Sequence, residues 1–288
     1  MSKLTYDLVE YLKEFVVDER RILFEEKIQQ RTKHMTVVLE NIFQGRNISA
    51  SIRSADCFGI QDVHIIENDN IFNNDSEVSM GAEKWITTKR FNKQKHNSIE
   101  AIKKLKAEGY QIVATTPHNT DCTLYDLDVT SQKTALIFGA EVNGCSQETL
   151  ELADKRMKIP MYGFTESFNI SVSVSLCLQH LTYKMRDSNI DWKLSDIEKD
   201  EVFLQWLRNS IKSSTQIEED YLNTIRAAFD SCASEDILIT LGITPTRPDT
   251  GYGYIQATDI SLESNKDLLK VKTFTEKPNR ELAGVFFE

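Results

Sequence analysis

The spacing of apolar residues changes along the chain. Over residues 4–31 apolar side chains recur at helical spacing and share one stripe, which consists of Leu8, Tyr11, Leu12, Phe15 and Val16. Four short β-branched or apolar runs follow and predict buried strands at residues 35–40, 62–67, 112–116 and 135–139. Helical segments separate several of these runs, notably at residues 47–58 and 98–108. Because strands and helices alternate, we expect an α/β fold built on a mainly parallel sheet.

Two further helices are predicted after these strands, at residues 167–185 and 195–212. The second begins with Ser195 and carries Glu198 three positions later, which is the pattern of a capping box. After Ser213 the pattern changes. A helix at 218–233, a strand at 237–243 and a proline- and glycine-rich loop at 244–253 are predicted there, so this part is expected to be a separate piece of structure.

Composition restricts the class of protein. The 288 residues are 40% hydrophobic and 27% charged, which excludes collagen-like, disordered and small disulfide-rich classes. No segment approaches the roughly 20 apolar residues of a membrane helix, and the N-terminus lacks the pattern of a secretory signal. The five cysteines form no CxxC pair and the five histidines show no metal-ligand spacing. We therefore expect reduced thiols, a cytoplasmic location, no membrane contact and no metal site.

The charge balance bears on nucleic-acid binding. A net charge of −10 argues against broad non-specific binding, which usually leaves a basic surface. Two local basic clusters leave RNA contact open, although scattered charges are also typical of a solvated surface. The clusters consist of Arg20, Arg21, Lys27, Arg31, Lys33 and Arg46, and of Lys84, Lys89, Arg90, Lys93 and Lys95.

Three segments, at residues 47–56, 137–146 and 159–173, carry polar residues where a purely structural element would have apolar ones. The first opens a helix, the second follows a strand at the end where open α/β sheets bind ligands, and the third passes through a glycine turn into a helix. Their notable residues are Asn47, placed as an N-cap, and Arg53; Gly139, Glu141 and Gly144; and Ser167 and Asn169. Taken singly, these segments also fit a surface arginine, a turn and a helix cap.

Taken together and in this order, the segments resemble the three motifs of the SPOUT (trefoil-knot) superfamily, in the branch of TrmH-type tRNA/rRNA ribose 2′-O-methyltransferases. The first motif is an asparagine followed six positions later by an arginine, and the second is G-x-E-x-x-G. The third, I-P-M-x-G-x-x-x-S-x-N-V-S-V, is matched by residues 159–172 with Ile170 replacing a valine and Phe168 replacing the commoner leucine. Residues 81–85 (GAEKW) are also similar to the family, and the resemblance spans roughly residues 18–222.

The resemblance implies a fold, a cofactor and an assembly. The parallel sheet would end in a C-terminal trefoil knot, flanked by N- and C-terminal helices that help to hold tRNA. The implied domains are a helical extension at 1–34, a methyltransferase domain at 35–190 and a second helical extension at 191–220. Homodimers with the site at the interface would also be expected. S-adenosylmethionine would lie bent in the knot, held by groups around Thr115, Thr116, Gly139, Ile159 and Phe168.

The resemblance also implies roles for the motif residues. In ribose methyl transfer a 2′-hydroxyl attacks the sulfonium methyl group and loses its proton, so positioning and stabilisation of the developing alkoxide dominate the rate. Arg53 would activate that hydroxyl electrostatically. A substrate phosphate is one acceptor for the proton, because a guanidinium is already protonated and cannot take it. Asn47 and Asn169 would shape the site, Ser167 would orient Arg53 or the substrate, and Glu141 would hold its loop or pair with a cation.

The predicted substrate is guanosine 18 in the D-loop of tRNA. The helix pair around the knot and the helix near 192–212 fit the tRNA branch, and Arg20, Arg21, Arg31, Arg46 and Lys84 are the predicted RNA contacts. Two alternatives remain at this stage: an rRNA 2′-O-methyltransferase of the same family, and an RNA-binding protein without turnover.

The C-terminal part, residues 221–288, resembles a different family, the mannose-1-phosphate guanylyltransferases. Residues 237–255 and 271–278 carry this resemblance. The glycine-rich nucleotide loop of those enzymes, G-x-R-x-W-P, is not in this sequence. We therefore expect a partial nucleotidyltransferase-like α/β fragment without guanylyltransferase activity.

Overall fold

The computed structural model describes residues 2–234, 239, 240, 242, 248, 250, 251, 253–261 and 268–287. The chain divides into two compact units, Met1–Lys212 and Ser213–Glu288. The predicted division of the first unit into three segments stays a prediction. Within the described residues, no helix is long and apolar enough to cross a membrane.

A parallel sheet of seven strands forms the centre of the first unit. Its strands are β1 (Met35–Glu40), β2 (Asp62–Ile66), β3 (Thr87–Phe91), β4 (Gln111–Thr115), β5 (Cys122–Thr123), β6 (Thr134–Phe138) and β7 (Lys155–Lys158). They are arranged in the order β3-β2-β1-β6-β4-β7-β5, and every neighbouring pair is parallel. Every residue of β1, β2 and β6 is buried, as expected for strands covered on both faces. The predicted mainly parallel α/β fold is confirmed, and the trefoil knot stays a prediction.

Ten α-helices lie within the described residues. In the first unit they are α1 (Ser2–Lys13), α2 (Asp18–Ile28), α3 (Gly45–Cys57), α4 (Ser76–Ser79), α5 (Ser98–Ala107), α6 (Gln147–Leu152), α7 (Ile170–Arg186) and α8 (Asp196–Ser210). The single helix predicted over 4–31 is two helices, because the extended backbone of Val17 separates them. The capping box at Ser195 and Glu198 is confirmed at the start of α8.

Helices cover the sheet on both faces. On one face α3 and α7 pack over Val37 and Leu39 of β1, and on the other α5 packs over Val38. Aromatic rings hold the flanking helices together: Phe24 of α2 lies 5.4 Å from the Trp206 ring of α8 and 5.4 Å from Trp85. The expected flanking helices at both ends of the sheet domain are present.

The second unit contains α9 (Ser214–Ser234), a hairpin of two antiparallel strands, β8 (Tyr254–Ser261) and β9 (Leu269–Thr275), and α10 (Arg280–Phe287). The helix predicted at 218–233 lies within α9. The strand predicted at 237–243 and the loop at 244–253 lie mostly outside the described residues.

Candidate active site

One chain of hydrogen bonds joins the three motif segments. The Asn47 amide Nδ2 donates to the Glu141 carboxylate at 2.6 Å, and the Asn169 amide Nδ2 donates to Asn47 Oδ1 at 3.1 Å. Asn47 belongs to α3, Glu141 follows β6, and Asn169 precedes α7. Asn47 therefore contacts two residues that lie 94 and 122 positions away in the sequence. Because β1 and β6 are neighbours in the sheet, the loops at their carboxyl ends are adjacent.

The sequence-based placement of Asn47 as an N-cap was wrong. The helix α3 begins at Gly45, with Gln44 in the cap position, so Asn47 lies inside the first turn. Its side chain is turned inward and is 8% exposed. A cap side chain would satisfy its own helix, whereas this amide is left to bind Glu141 and Asn169.

Asn169 is the N-cap of α7. Its Oδ1 accepts hydrogen bonds from the Ser171 backbone N–H at 2.9 Å and from the Ser171 hydroxyl at 2.7 Å. The helix therefore begins at Ile170 rather than at the predicted residue 167. Capping fixes the side-chain Oδ1 of Asn169 and leaves its Nδ2 directed at Asn47. The start of α7 is therefore coupled to the site.

Arg53 lies exposed on α3, and it makes no hydrogen bond or ion pair with any residue that the structure describes. Its helix is held against α7 by the hydroxyl groups of Ser54 and Ser175, which are 2.8 Å apart. A free guanidinium on a fixed helix is available to a substrate. Ser167 is also exposed, and no hydrogen bond connects it to the described part of the chain, so it is not brought to Arg53.

The loop after β6 is a tight turn that requires glycine. Ala140 and Gly144 exchange two backbone hydrogen bonds, at 3.0 and 2.8 Å. A Cβ atom on Gly139 would lie 2.0 Å from the carbonyl carbon of Gly144, which no side chain can accommodate. The close approach of the backbone fixes the direction in which the loop presents Glu141.

Cys145 ends this turn and is buried. Its Sγ lies 3.5 Å from the Thr115 carbonyl oxygen and 3.7 Å from that of Ile137. Burial, together with the nearby Glu40 carboxylate, raises the pKa of the Cys145 thiol far above its ordinary value. A buried neutral thiol is a poor nucleophile, so the geometry supports a packing role for Cys145 rather than covalent catalysis.

The residues predicted to hold a cofactor lie at the carboxyl ends of three neighbouring strands. Thr115 ends β4 and Thr116 follows it, Gly139 follows β6, and Ile159 follows β7. Beyond them, the exposed segment 161–168, which includes Phe168, makes no backbone hydrogen bond with the described residues. Its N–H and C=O groups are available to a polar ligand, because backbone groups require partners.

Sequence reasoning did not identify Glu40. This residue ends β1, is 1% exposed and has no cationic partner among the residues that the structure describes. Its carboxylate accepts hydrogen bonds from the Ser146 backbone N–H at 3.0 Å, the Ser146 hydroxyl at 2.7 Å, the Thr149 hydroxyl at 2.7 Å and the Ser98 hydroxyl. Because Ser146 directly follows the Gly139–Cys145 turn, Glu40 anchors that turn to the sheet. The available signal in the sequence was a carboxylate at the end of a mostly apolar strand.

The five predicted RNA contacts are not equivalent in the structure. Arg20 and Lys84 are exposed, and Arg21 is half-buried in an ion pair with Asp18. Arg31 is buried, bonded to the Asp56 carboxylate, and its guanidinium lies 5.2 Å from the Trp206 ring. This placement gives Arg31 a structural role, and we omit it from the RNA-binding set.

Arg46 precedes Asn47 on α3, and its side chain is 75% exposed. Its Nε donates to Asp75 at 2.9 Å. This contact holds the Arg46 guanidinium in place and leaves it exposed.

Within the described part of the chain no cluster of three or more His, Cys, Asp or Glu residues could hold a metal ion.

Comparison with known families identifies this arrangement. The sequence model of the SpoU rRNA Methylase family matches residues 34–179, which contain all three motif segments. The chain belongs to the SpoU rRNA methylase family. Glu141, Asn47 and Asn169 therefore lie within the family domain, as do Arg53 and Ser167.

Individual relatives are similar to a large part of this chain. A Borreliella burgdorferi protein named tRNA (guanosine(18)-2′-O)-methyltransferase is 39% identical over 207 residues, which cover 72% of this chain and 93% of that protein. A Thermus thermophilus protein of the same name is 35% identical over 161 residues, or 56% of this chain and 80% of that protein. A solved structure titled as the TrmH/SpoU tRNA modifying enzyme of A. aeolicus superposes with a TM-score of 0.62 at 25% identity, covering 68% of this chain and 98% of that one.

The C-terminal part matches a different model. The Nucleotidyl transferase family model covers residues 210–287, in agreement with the resemblance drawn from the sequence.

Proposed function

We propose that the protein is a tRNA (guanosine(18)-2′-O)-methyltransferase that uses S-adenosylmethionine. The observation that carries this proposal is the hydrogen-bonded chain Glu141–Asn47–Asn169, which joins all three motifs. It includes a residue of α3, the helix that also carries the exposed Arg53, which has no hydrogen-bond or ion-pair partner among the described residues. The names of the B. burgdorferi and T. thermophilus relatives support tRNA as the substrate class.

The residues at the strand ends fit such a cofactor. Segment 161–168 offers backbone groups without partners among the described residues, and Phe168 is partly exposed beside them. When bound, S-adenosylmethionine supplies an electrophilic methyl group on a sulfonium. Thr115, Thr116, Gly139, Ile159 and Phe168 are the residues that would hold it.

Arg53 would act on the attacking 2′-hydroxyl. A guanidinium ion has no lone pair with which to accept a proton, so its contribution is a positive charge beside the developing alkoxide. The proton would leave to a phosphate oxygen of the RNA. Asn47 and Asn169 have fixed amides, so they would hold the ribose and the start of α7 without rearrangement during the reaction.

The exposed apolar stripe on α7 supports the proposed homodimer. Val172, Leu176 and Tyr183 recur at helical spacing and are exposed on a helix whose other face covers the sheet. We propose that a second copy covers this stripe, which also places the exposed segment 161–168 next to the interface. Leu176→Glu is expected to convert the dimer to a monomer in light scattering; a variant that stays dimeric would contradict this assignment.

The exposed basic residues Arg20, Arg46 and Lys84 would supply contacts to RNA phosphates. We expect a protein with a tRNA substrate to act in the cytoplasm. The C-terminal unit is not assigned to the methyl transfer, and we expect no guanylyltransferase activity from it.

The test is transfer of labelled methyl groups to unmodified tRNA and rRNA transcripts, with the modified nucleotide mapped. Wild type should label guanosine 18 of tRNA, and Arg53→Ala should lose the activity while retaining the same cofactor affinity. Labelling of rRNA alone would establish the rRNA alternative, and RNA binding without transfer would establish a binding protein. A chain ending at Lys212, tested in parallel, shows whether the second unit affects the result.

A further inference from the structure

The loop between β1 and α3 presents one exposed aromatic ring beside the site. Phe43 is 77% exposed, although it lies only four residues before the buried Asn47. Neither the three motifs nor the basic clusters include this residue. A large exposed apolar side chain next to a binding site is available to contact a ligand there.

The loop that carries Phe43 is held in place by hydrogen bonds. Asn41 adopts a left-handed conformation with φ 53°, and its backbone N–H donates to the Ile66 carbonyl at 2.7 Å. Its side-chain Oδ1 accepts from the backbone N–H groups of Asp69 and Asn70 at 2.9 and 3.0 Å. These bonds tie the loop after β1 to the loop after β2, so Phe43 projects outward from a rigid support.

Positive charge continues from Phe43 along α3. Arg46 and Arg53 are seven positions apart, which places them on the same face of the helix about 10 Å apart along its axis. Both are exposed, and Arg53 has no partner among the described residues. An aromatic ring followed by two exposed guanidinium groups is the combination that recognises an unpaired base with its flanking phosphates.

We propose that Phe43 stacks on the base of the nucleotide that receives the methyl group. This inference rests on the proposed function, because it places the ribose of that nucleotide at Arg53 and Asn47. A base whose 2′-hydroxyl enters an enzyme site has to leave the stack of its own loop, and a protein ring that replaces the lost stacking partner stabilises the extruded state. Arg46 then faces a phosphate next to the extruded base.

The test compares Phe43→Leu and Phe43→Trp with wild type. Leucine retains an apolar side chain but removes the ring, whereas tryptophan retains a ring. We expect Phe43→Leu to lower kcat/KM for tRNA by about 5-fold or more, within the range known for base–aromatic stacking. Phe43→Trp should keep most of the activity, and cofactor affinity should be unchanged in both. Phe229→Leu, a matched control at a 72% exposed ring in the second unit, should behave as wild type.

A spectroscopic readout separates stacking from a structural role. A tRNA with 2-aminopurine at the target position should remain quenched when bound to wild type or Phe43→Trp, and should become several-fold brighter when bound to Phe43→Leu. Wild-type activity together with equal kinetics and equal emission for Phe43→Leu would overturn the stacking inference alone. Absence of transfer by wild type would overturn the proposed function, and this inference with it.

Discussion

Replacement of Glu40 by glutamine tests how the active-site turn is held. One carboxylate oxygen accepts hydrogen bonds from three hydroxyl groups, and the other accepts the Ser146 backbone N–H. The hydroxyl groups can rotate, but a backbone N–H cannot. An amide in place of the carboxylate therefore either opposes this N–H with a second donor or places its NH₂ group among the three hydroxyl groups.

The expected loss follows from the bonds affected. A hydrogen bond to a charged group contributes about 1.5–3 kcal/mol, so Glu40→Gln should lower the free energy of unfolding by about 2 kcal/mol. For a domain of this size that corresponds to a fall in Tm of about 4–8 °C. Differential scanning calorimetry measures it, and methyl transfer should fall as well because the turn carries Glu141.

The matched control for this prediction is Glu148→Gln, an exposed carboxylate in the first turn of α6. It should change the free energy of unfolding by no more than about 0.5 kcal/mol. Equal Tm values for Glu40→Gln, Glu148→Gln and wild type would refute the anchoring role of Glu40.

Three further predictions concern the turn, the core and the RNA surface. Gly139→Ala should destabilise the fold by more than about 4 kcal/mol in urea unfolding, because its Cβ would meet the Gly144 backbone; Gly163→Ala, with no atom within 4 Å of its Cβ, is the control, and equal stability would contradict the argument. Burial and the nearby Lys89 lower the pKa of His64 in the folded protein to about 4. As the pH falls from 6.5 to 4, the histidine is therefore protonated in the unfolded chain before it is protonated in the folded one, and about 3 kcal/mol of stability is lost. An NMR titration that shows His64 protonated at pH 5.5 would exclude this contribution. If Arg20, Arg46 and Lys84 each contact a phosphate, raising the salt concentration from 50 to 200 mM should weaken tRNA binding about 20- to 40-fold. A change below about twofold in a filter-binding assay would be inconsistent with these three contacts.

The strands that the sequence predicts well are those buried on both faces. The runs at 35–40 and 135–139 are apolar apart from Thr36, Glu40 and the final Gly139, so their composition predicts burial. The strand β3 was not predicted, because its sequence TTKRF has few apolar residues and lies at the sheet edge. There Lys89 and Arg90 pair with Asp62 and Glu67. Such pairing depends on contacts between strands that a single sequence does not reveal.

In the site, too, the sequence predicts local features but not the contacts between residues that are distant in the chain. Motif order predicted that Asn47, Glu141 and Asn169 belong together, but not that Asn47 lies inside a helical turn with its amide between the other two. The burial of Arg31 could not be anticipated, because its partner Asp56 lies 25 positions away, on α3. The proposal for Phe43 likewise depends on the exposure of its ring, which the sequence does not reveal, because there Phe43 is only an apolar residue after a strand.

Removal of the acceptor atom tests the central claim most directly. Two tRNAs that differ only in ribose or 2′-deoxyribose at guanosine 18 would be incubated with the full chain and labelled S-adenosylmethionine. The account predicts one methyl group per tRNA on the ribose form and none on the deoxy form, with both forms bound. Equal labelling of the two tRNAs would show that the methyl group goes to a different atom and would contradict the account.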